Sequence, residues 1–308
     1  MSSRDEAASS SIAPVSVVIP YYNASSTIAA AVLSVRRQTL APAEIIIVND
    51  GSRPEESDAL ADFAAYCTII QLPQNRGVSV ARNVGIGRSS ARWIAFLDAD
   101  DCWEPAKLEA QFDVVRANPD CRAVHCSNRR IRPDGNTEVF IKSQVSFEDL
   151  LTFPPPVFPS ALLVERDLLL ECGLFDPNLR VCEDLDLVMR ITQTVPILCA
   201  SNVLLIRREQ PSSATRNLRN FWYGADLVYR RLAGLCSEPS RARRTLTDLN
   251  ADFICGSLYA RDWALLRSQI PHVLRRDVKT HRLAAAVLRF LFKNKLHAAA
   301  SKNRLSVP

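Results

Sequence analysis

Arg92-Trp93-Ile94-Ala95-Phe96-Leu97-Asp98-Ala99-Asp100-Asp101 passes from an apolar run into three carboxylates within four residues. Trp93 to Leu97 reads as a short strand buried on both faces. The carboxyl ends of such strands are where open α/β sheets gather their ligands. Three neighbouring carboxylates repel one another unless a cation or a donor network offsets the charge. A divalent cation with oxygen ligands is the natural partner. The competing reading is a solvated acidic turn ahead of the helix that Pro105 opens.

The residues before this stretch repeat one pattern. Val15 to Pro20 (VSVVIP) is a continuous apolar run of a strand covered on both sides. Ser25 or Ser26 is placed to cap a helix to about Gln38. Glu44 to Val48 is a second strand, and Pro54 opens a helix to about Tyr66. Thr68 to Leu72 is a third strand, and Ser79 is placed to cap a helix to about Arg88. Strands alternating with helices predict a parallel sheet flanked by helices. Three loops then share one sheet edge: Pro20-Tyr21-Tyr22-Asn23, Asn49-Asp50-Gly51-Ser52 and Asp98-Ala99-Asp100-Asp101. A ring to stack on a base, a carboxylate to accept from base or ribose, and an acidic metal cluster together suit a nucleotide. No GxGxxG or GxxxxGK[ST] is present, which disfavours a glycine-rich phosphate cradle.

The regularity breaks after residue 120. Arg122 to Cys126 reads as a core strand, preferred over a zinc site at Cys121, His125 and Cys126 because no fourth ligand is evident. Arg129 to Ile141 reads as a hairpin about Pro133-Asp134-Gly135. Ser160 to Val164, Pro196 to Ala200 and Val203 to Arg207 read as strands, and Glu183 to Ile191 as a helix. From about Asn217 the chain reads as helical.

The 308 residues have an ordinary soluble composition, with 47% hydrophobic and 23% charged residues. No apolar run is long enough to span a membrane. Met1 to Ala13 lacks the basic and apolar regions of a signal peptide, so a cytoplasmic location is expected. Nine cysteines without CxxC pairs fit reduced thiols. Of the net charge of +5, seven Lys and Arg with no acid lie between Val278 and Pro308, which leaves the rest of the chain at −2. That balance speaks against a nucleic-acid groove on the main body.

Five segments, taken in order, resemble the family-2 glycosyltransferases of the GT-A fold. They are VSVVIPYYN (Val15 to Asn23), EIIIVNDGS (Glu44 to Ser52), NRGVSVARN (Asn75 to Asn83), WIAFLDADDCWEP (Trp93 to Pro105) and ECGLFDPNLRVCEDLDLVMR (Glu171 to Arg190). The resemblance implies a transferase domain at 14–215, with a nucleotide-binding half at 14–120 and an acceptor half at 121–215. A flexible N-terminus at 1–13 and a helical extension at 216–308 flank it. It implies transfer of a sugar, with inversion, from a nucleoside diphosphate donor, usually UDP, to a hydroxyl of a glycan or glycolipid, as in cell-surface polysaccharide or lipopolysaccharide assembly. It places Pro20, Tyr22, Asp50, Asn75, Arg82 and Asp98 around the nucleoside. It makes Asp100 the ligand of Mn²⁺ or Mg²⁺ and Asp184 the general base. Asp101, Glu183, Arg207 and Arg208 are candidates for support.

Many relatives carry a histidine after the last strand. Here the segment reads Arg207-Arg208-Glu209-Gln210-Pro211-Ser212-Ser213, so either arginine could neutralise phosphate. The QxxRW signature of processive synthases is absent, which favours single addition. Two rivals remain: transfer to a polyprenyl phosphate, and a silent sugar-nucleotide-binding protein. The basic, amphipathic stretch 279–304 suits either an anionic membrane surface on the inner face of the cell membrane or packing against protein.

Overall fold

The centre of the sheet is β1 (Ile12–Tyr21). Val15, Val17 and Ile19 of this strand pack with Ile28, Val32 and Val35 of α1 (Ser25–Arg36). Val18 points to the other face, where Gly85 of α3 (Val78–Arg88) lets the helix close on it. Burial on both faces is why the run is continuously apolar. Strands β2 (Ala41–Asn49) and β3 (Thr68–Gln71) extend the parallel sheet on one side, and β4 (Trp93–Phe96) on the other. The computed structural model describes residues 12–151, 157–209 and 218–235, together with residues 250, 253, 254, 257 and 267.

Beyond β4 the sheet becomes mixed. Its strand order among the described residues is β3-β2-β1-β4-β8-β6-β9-β5, with β7 also paired to β6. The added strands are β5 (Cys102–Trp103), β6 (Ala123–Ile131), β7 (Thr137–Phe140), β8 (Leu163–Glu165) and β9 (Leu198–Arg208). Strand β8 runs antiparallel to β4 and β6, while β6 and β9 are parallel. The hairpin of β6 and β7 turns where Pro133-Asp134-Gly135 predicts it. The remaining helices of this body are α2 (Pro54–Asp58), α4 (Lys107–Ala117), α5 (Arg166–Glu171) and α6 (Glu183–Thr194).

Several local expectations change. Neither Ser25 nor Ser26 caps α1. Ala24 holds the cap position, and Glu56 accepts the Ser25 N–H at 3.0 Å. Ser79 lies inside α3, whose cap is Gly77 at φ +96°; its hydroxyl donates to the Leu179 carbonyl instead. The helix expected from Pro54 to Tyr66 is only α2 followed by a single turn at Ala61–Phe63. Leu60 and Phe63 are its buried apolar anchors, too few for a longer helical face. The two strands expected at 196–207 are one strand, in which bulges opposite Cys126, Ser127 and Asn128 absorb the extra residues.

The chain divides into two compact units, residues 1–150 with 155–213 and residues 151–154 with 214–308. In the second, α7 (Leu218–Leu235) buries Trp222, Ala225, Tyr229 and Leu232, and the Trp222 indole donates to Asn250 at 3.2 Å. The amphipathic stretch 279–304 lies outside the described residues. Among those described, no helix is long and apolar enough to cross a membrane.

Candidate active site

Parallel pairing brings the ends of β1, β2 and β4 to one edge, with Tyr21 opposite Asn49 and Val18 opposite Phe96. Pro20 and Tyr21 are buried there, and the Tyr21 hydroxyl donates to the Glu56 carbonyl at 2.6 Å. Tyr22 is 51% exposed, so its ring is free to stack. Asp50 is only 3% exposed. Its two oxygens accept the backbone N–H groups of Arg76 and Gly77, each at 2.8 Å. Asp50 thus holds the loop that carries Asn75, itself exposed. Gly51, at φ +67°, is what allows this approach, because a Cβ there would sit 2.3 Å from the Gln74 backbone.

The acidic turn is anchored from below. The Asp98 N–H donates to Ser160 Oγ at 3.0 Å, and the Asp101 N–H to the Asp98 carbonyl at 3.0 Å. Burial, then the charge of Asp98, pushes Asp100 up to about 6. The same two causes raise the buried Asp101 well above the usual carboxylate range. Arg207 opposes both shifts, so its positive charge acts on both acids. Its guanidinium lies 3.7 Å from the Phe158 ring centre. Arg208 is exposed and acts on Cys102 instead. Of the two arginines, Arg207 is the one that faces the acidic turn.

These carboxylates have the hard oxygen chemistry that Mn²⁺ or Mg²⁺ takes. No group of three His, Cys, Asp or Glu side chains converges to hold an ion among the described residues. Protein atoms alone do not close a cage. This fits an ion bound through one or two carboxylates, water and substrate phosphates, with Asp100 as the half-buried carboxylate available.

Arg82 is the pivot of the site. It is 3% exposed, with one guanidinium nitrogen 2.7 Å from Asp98 Oδ1 and another 2.8 Å from Glu183 Oε1. Both of its terminal nitrogens are thus engaged by carboxylates. Phe175 packs 5.1 Å from it and edge-on against Phe96 at 5.3 Å. Asn83 fixes Phe175 in turn, donating to its carbonyl at 2.8 Å and accepting its N–H at 3.0 Å. Neither Asn83 nor Phe175 was assigned a part from sequence, although both lie within the quoted motifs.

α6 begins directly after Cys182, which holds a left-handed φ of 60°. Asp186 is buried and paired to Arg190 at 2.7 Å. Asp184 is half-buried; its Oδ1 accepts the Leu185 N–H at 2.7 Å. Burial first, and Glu183 second, hold its carboxyl well above the usual carboxylate range, while Arg82 and Arg207 pull it down. Asp184 and the acidic turn therefore share the field of Arg207. Such an arrangement can hold a diphosphate at one side and a proton acceptor at the other.

The mixed sheet flanked by helices matches the GT-A fold. A structure of S. aureus TarS residues 1–349 in complex with UDP superposes with a TM-score of 0.63 over 91% of each chain at 16% identity. Residues 16–159 match the model of glycosyl transferase family 2. An uncharacterized glycosyltransferase of Haemophilus influenzae is 29% identical over 182 residues, which are 58% of this chain and 62% of that protein. The Escherichia coli enzyme WfgD, a UDP-Glc:alpha-D-GlcNAc-diphosphoundecaprenol beta-1,3-glucosyltransferase, is 35% identical over 105 residues, 34% of this chain and 42% of that one. This chain thus spans less than two thirds of either relative's length.

Proposed function

We propose that this protein transfers a sugar from a UDP-sugar to a hydroxyl of a glycan or glycolipid acceptor, inverting the anomeric carbon. The observation that carries the reading is the half-buried, unpaired-by-arginine Asp184 set in one electrostatic field with the acidic turn. Tyr22, Asp50 and Asn75 receive uracil and ribose, the ring by stacking and Asp50 by keeping the Asn75 loop in place. Asp98 stands beside the ribose. Asp100 would hold Mn²⁺ or Mg²⁺ together with the diphosphate, and the ion would supply Lewis-acid chemistry to the leaving group. Arg207 adds positive charge on the same side.

The acceptor oxygen bonds to the anomeric carbon as the bond to the UDP oxygen breaks on the opposite face. Asp184 takes the hydroxyl proton during that attack. The bonding pair leaves with UDP, and Asp184 returns its proton to water. The transferase domain is 14–215, and 216–308 is an extension of it. By analogy with WfgD, which acts on a sugar carried by diphosphoundecaprenol, the acceptor is a lipid-linked glycan of surface-polysaccharide assembly.

The test is a screen of UDP-glucose, UDP-N-acetylglucosamine and GDP-sugars with Mn²⁺ against lipid-diphosphate-linked N-acetylglucosamine, following nucleotide release and the anomeric configuration of the product. Expected is UDP release with inversion. Retention of configuration, or turnover of GDP-sugars alone, overturns the reading.

A further inference from the structure

We propose that Arg82 is a positioning residue for the base: by binding Glu183 it commits that carboxylate and leaves its neighbour Asp184 free to take the acceptor's proton. The inference rests on Asp184 being the base, as proposed above.

Glu183 and Asp184 are consecutive acids in the first turn of α6, so the helix dipole favours both alike. Their place in the helix does not by itself say which of them works. Two adjacent, desolvated carboxylates resist ionising together, so the second of them gives up its proton only at a higher pH and is the stronger base once it has. Environments that treat the two differently separate their roles. Here the difference is direct contact. Glu183 Oε1 meets an Arg82 nitrogen at 2.8 Å, whereas Asp184 meets the Leu185 N–H at 2.7 Å. The groups that act on Asp184 are Glu183 and Cys182 from its own turn, Arg82 from α3 and Arg207 from β9.

The guanidinium has little freedom to do anything else. Phe175 covers it at 5.1 Å, and Asp98 at the end of β4 takes its second nitrogen at 2.7 Å. One planar fork therefore spans the donor strand and the base helix. It fixes where α6 starts relative to the turn that receives the donor. A lysine, with a single point of charge, cannot hold both carboxylates in that geometry. Displacing a catalytic group by about 1 Å costs a rate on the order of 10²-fold.

The experiment compares Arg82→Gln, Arg82→Lys, Glu183→Gln and the double variant Arg82→Gln/Glu183→Gln. UDP affinity in Mn²⁺ is read by calorimetry. The pH dependence of kcat is read by UDP release from whichever of UDP-glucose and UDP-N-acetylglucosamine the parent turns over. Arg82→Gln is expected to keep UDP affinity, to lose kcat by about 10²-fold and to move the acid limb to higher pH. Arg82→Lys recovers the limb but not the full rate. Glu183→Gln moves the limb to lower pH, and the double variant brings it back toward the parent. Loss of UDP affinity with an unmoved limb in Arg82→Gln makes Arg82 a nucleoside contact and overturns the proposal. If Arg82→Gln does not fold, an unmoved limb in Glu183→Gln overturns it alone. Parent turnover that survives Asp184→Asn strikes instead at the base assignment, so the two failures are separable.

Discussion

Asp184 is raised by burial first and by Glu183 second, which fixes the direction of its pH dependence. A carboxyl held above its ordinary range takes up its proton at higher pH than a free aspartate. The proposed base is therefore lost as pH falls through that raised value, and it is fully available above it. We expect kcat to drop on the acid side at a pH above the ordinary aspartate pKa of about 4, measured by UDP release across pH. Asp184→Asn keeps the shape and removes the basicity. Its kcat should fall by about 10²–10⁴-fold with UDP and Mn²⁺ binding unchanged. A polyprenyl-phosphate acceptor, already charged, would make that loss small, and a silent binding protein would have no turnover to lose. Asp100 gives a second residue-scale expectation. Asp100→Ala should remain folded by circular dichroism yet lose nearly all transfer, and EDTA should do the same to the parent until Mn²⁺ or Mg²⁺ is restored. Full activity in EDTA removes the ion from the mechanism.

At the scale of elements, the donor edge depends on two loops being pressed together. Asp50 neutralises two N–H groups of the loop before α3, and Gly51 provides the space for it. A methyl at Gly51 would meet backbone rather than a flexible side chain, at a φ that alanine resists. Gly51→Ala should cost about 1–3 kcal/mol in urea unfolding and should weaken UDP binding in calorimetry. Unchanged UDP affinity in a destabilised Gly51→Ala would separate the loop from the donor site. The same scale shows what sequence can carry. Strands β1, β2 and β4 were legible because burial on both faces makes apolar runs, and parallel order then predicts a shared edge. The caps were not. Serines beside a helix start are good local candidates, yet Ala24 and Gly77 hold those positions, and Glu56, from elsewhere in the chain, takes the Ser25 N–H. Strand β5 is two residues long and exists only because β9 pairs with it. Arg82 and Glu183 are 101 residues apart in the chain. Their motifs were visible, but that one side chain ties them together was not.

Across the whole molecule, a polar seam runs behind the acidic turn through the body of the transferase fold. Ser160 accepts the Asp98 N–H, its carbonyl takes the Trp103 indole N–H at 2.9 Å, and Gln111 donates to the Ala161 carbonyl at 2.9 Å. Lys107 completes the seam. It is fully buried, bonds Gln111 at 2.8 Å and stands 4.0 Å from the Trp103 ring centre. Burial lowers its pKa to about 8, with the nearby Cys126 acting the other way. An unfolded lysine titrates near its ordinary value of about 10.4. Between those two values the unfolded chain binds more protons than the folded one, so stability rises with pH through that window. Below it, both states are protonated and the fold carries the full cost of a buried ammonium. Lys107→Met cannot titrate there and serves as the reference. The stability of the parent relative to Lys107→Met should therefore grow by roughly 2 kcal/mol between pH 7 and pH 10. Urea unfolding of both proteins at several pH values in that range measures it. A difference that stays flat would mean that Lys107 keeps its proton throughout, stabilised by the Trp103 face and Gln111 as well as water would do it.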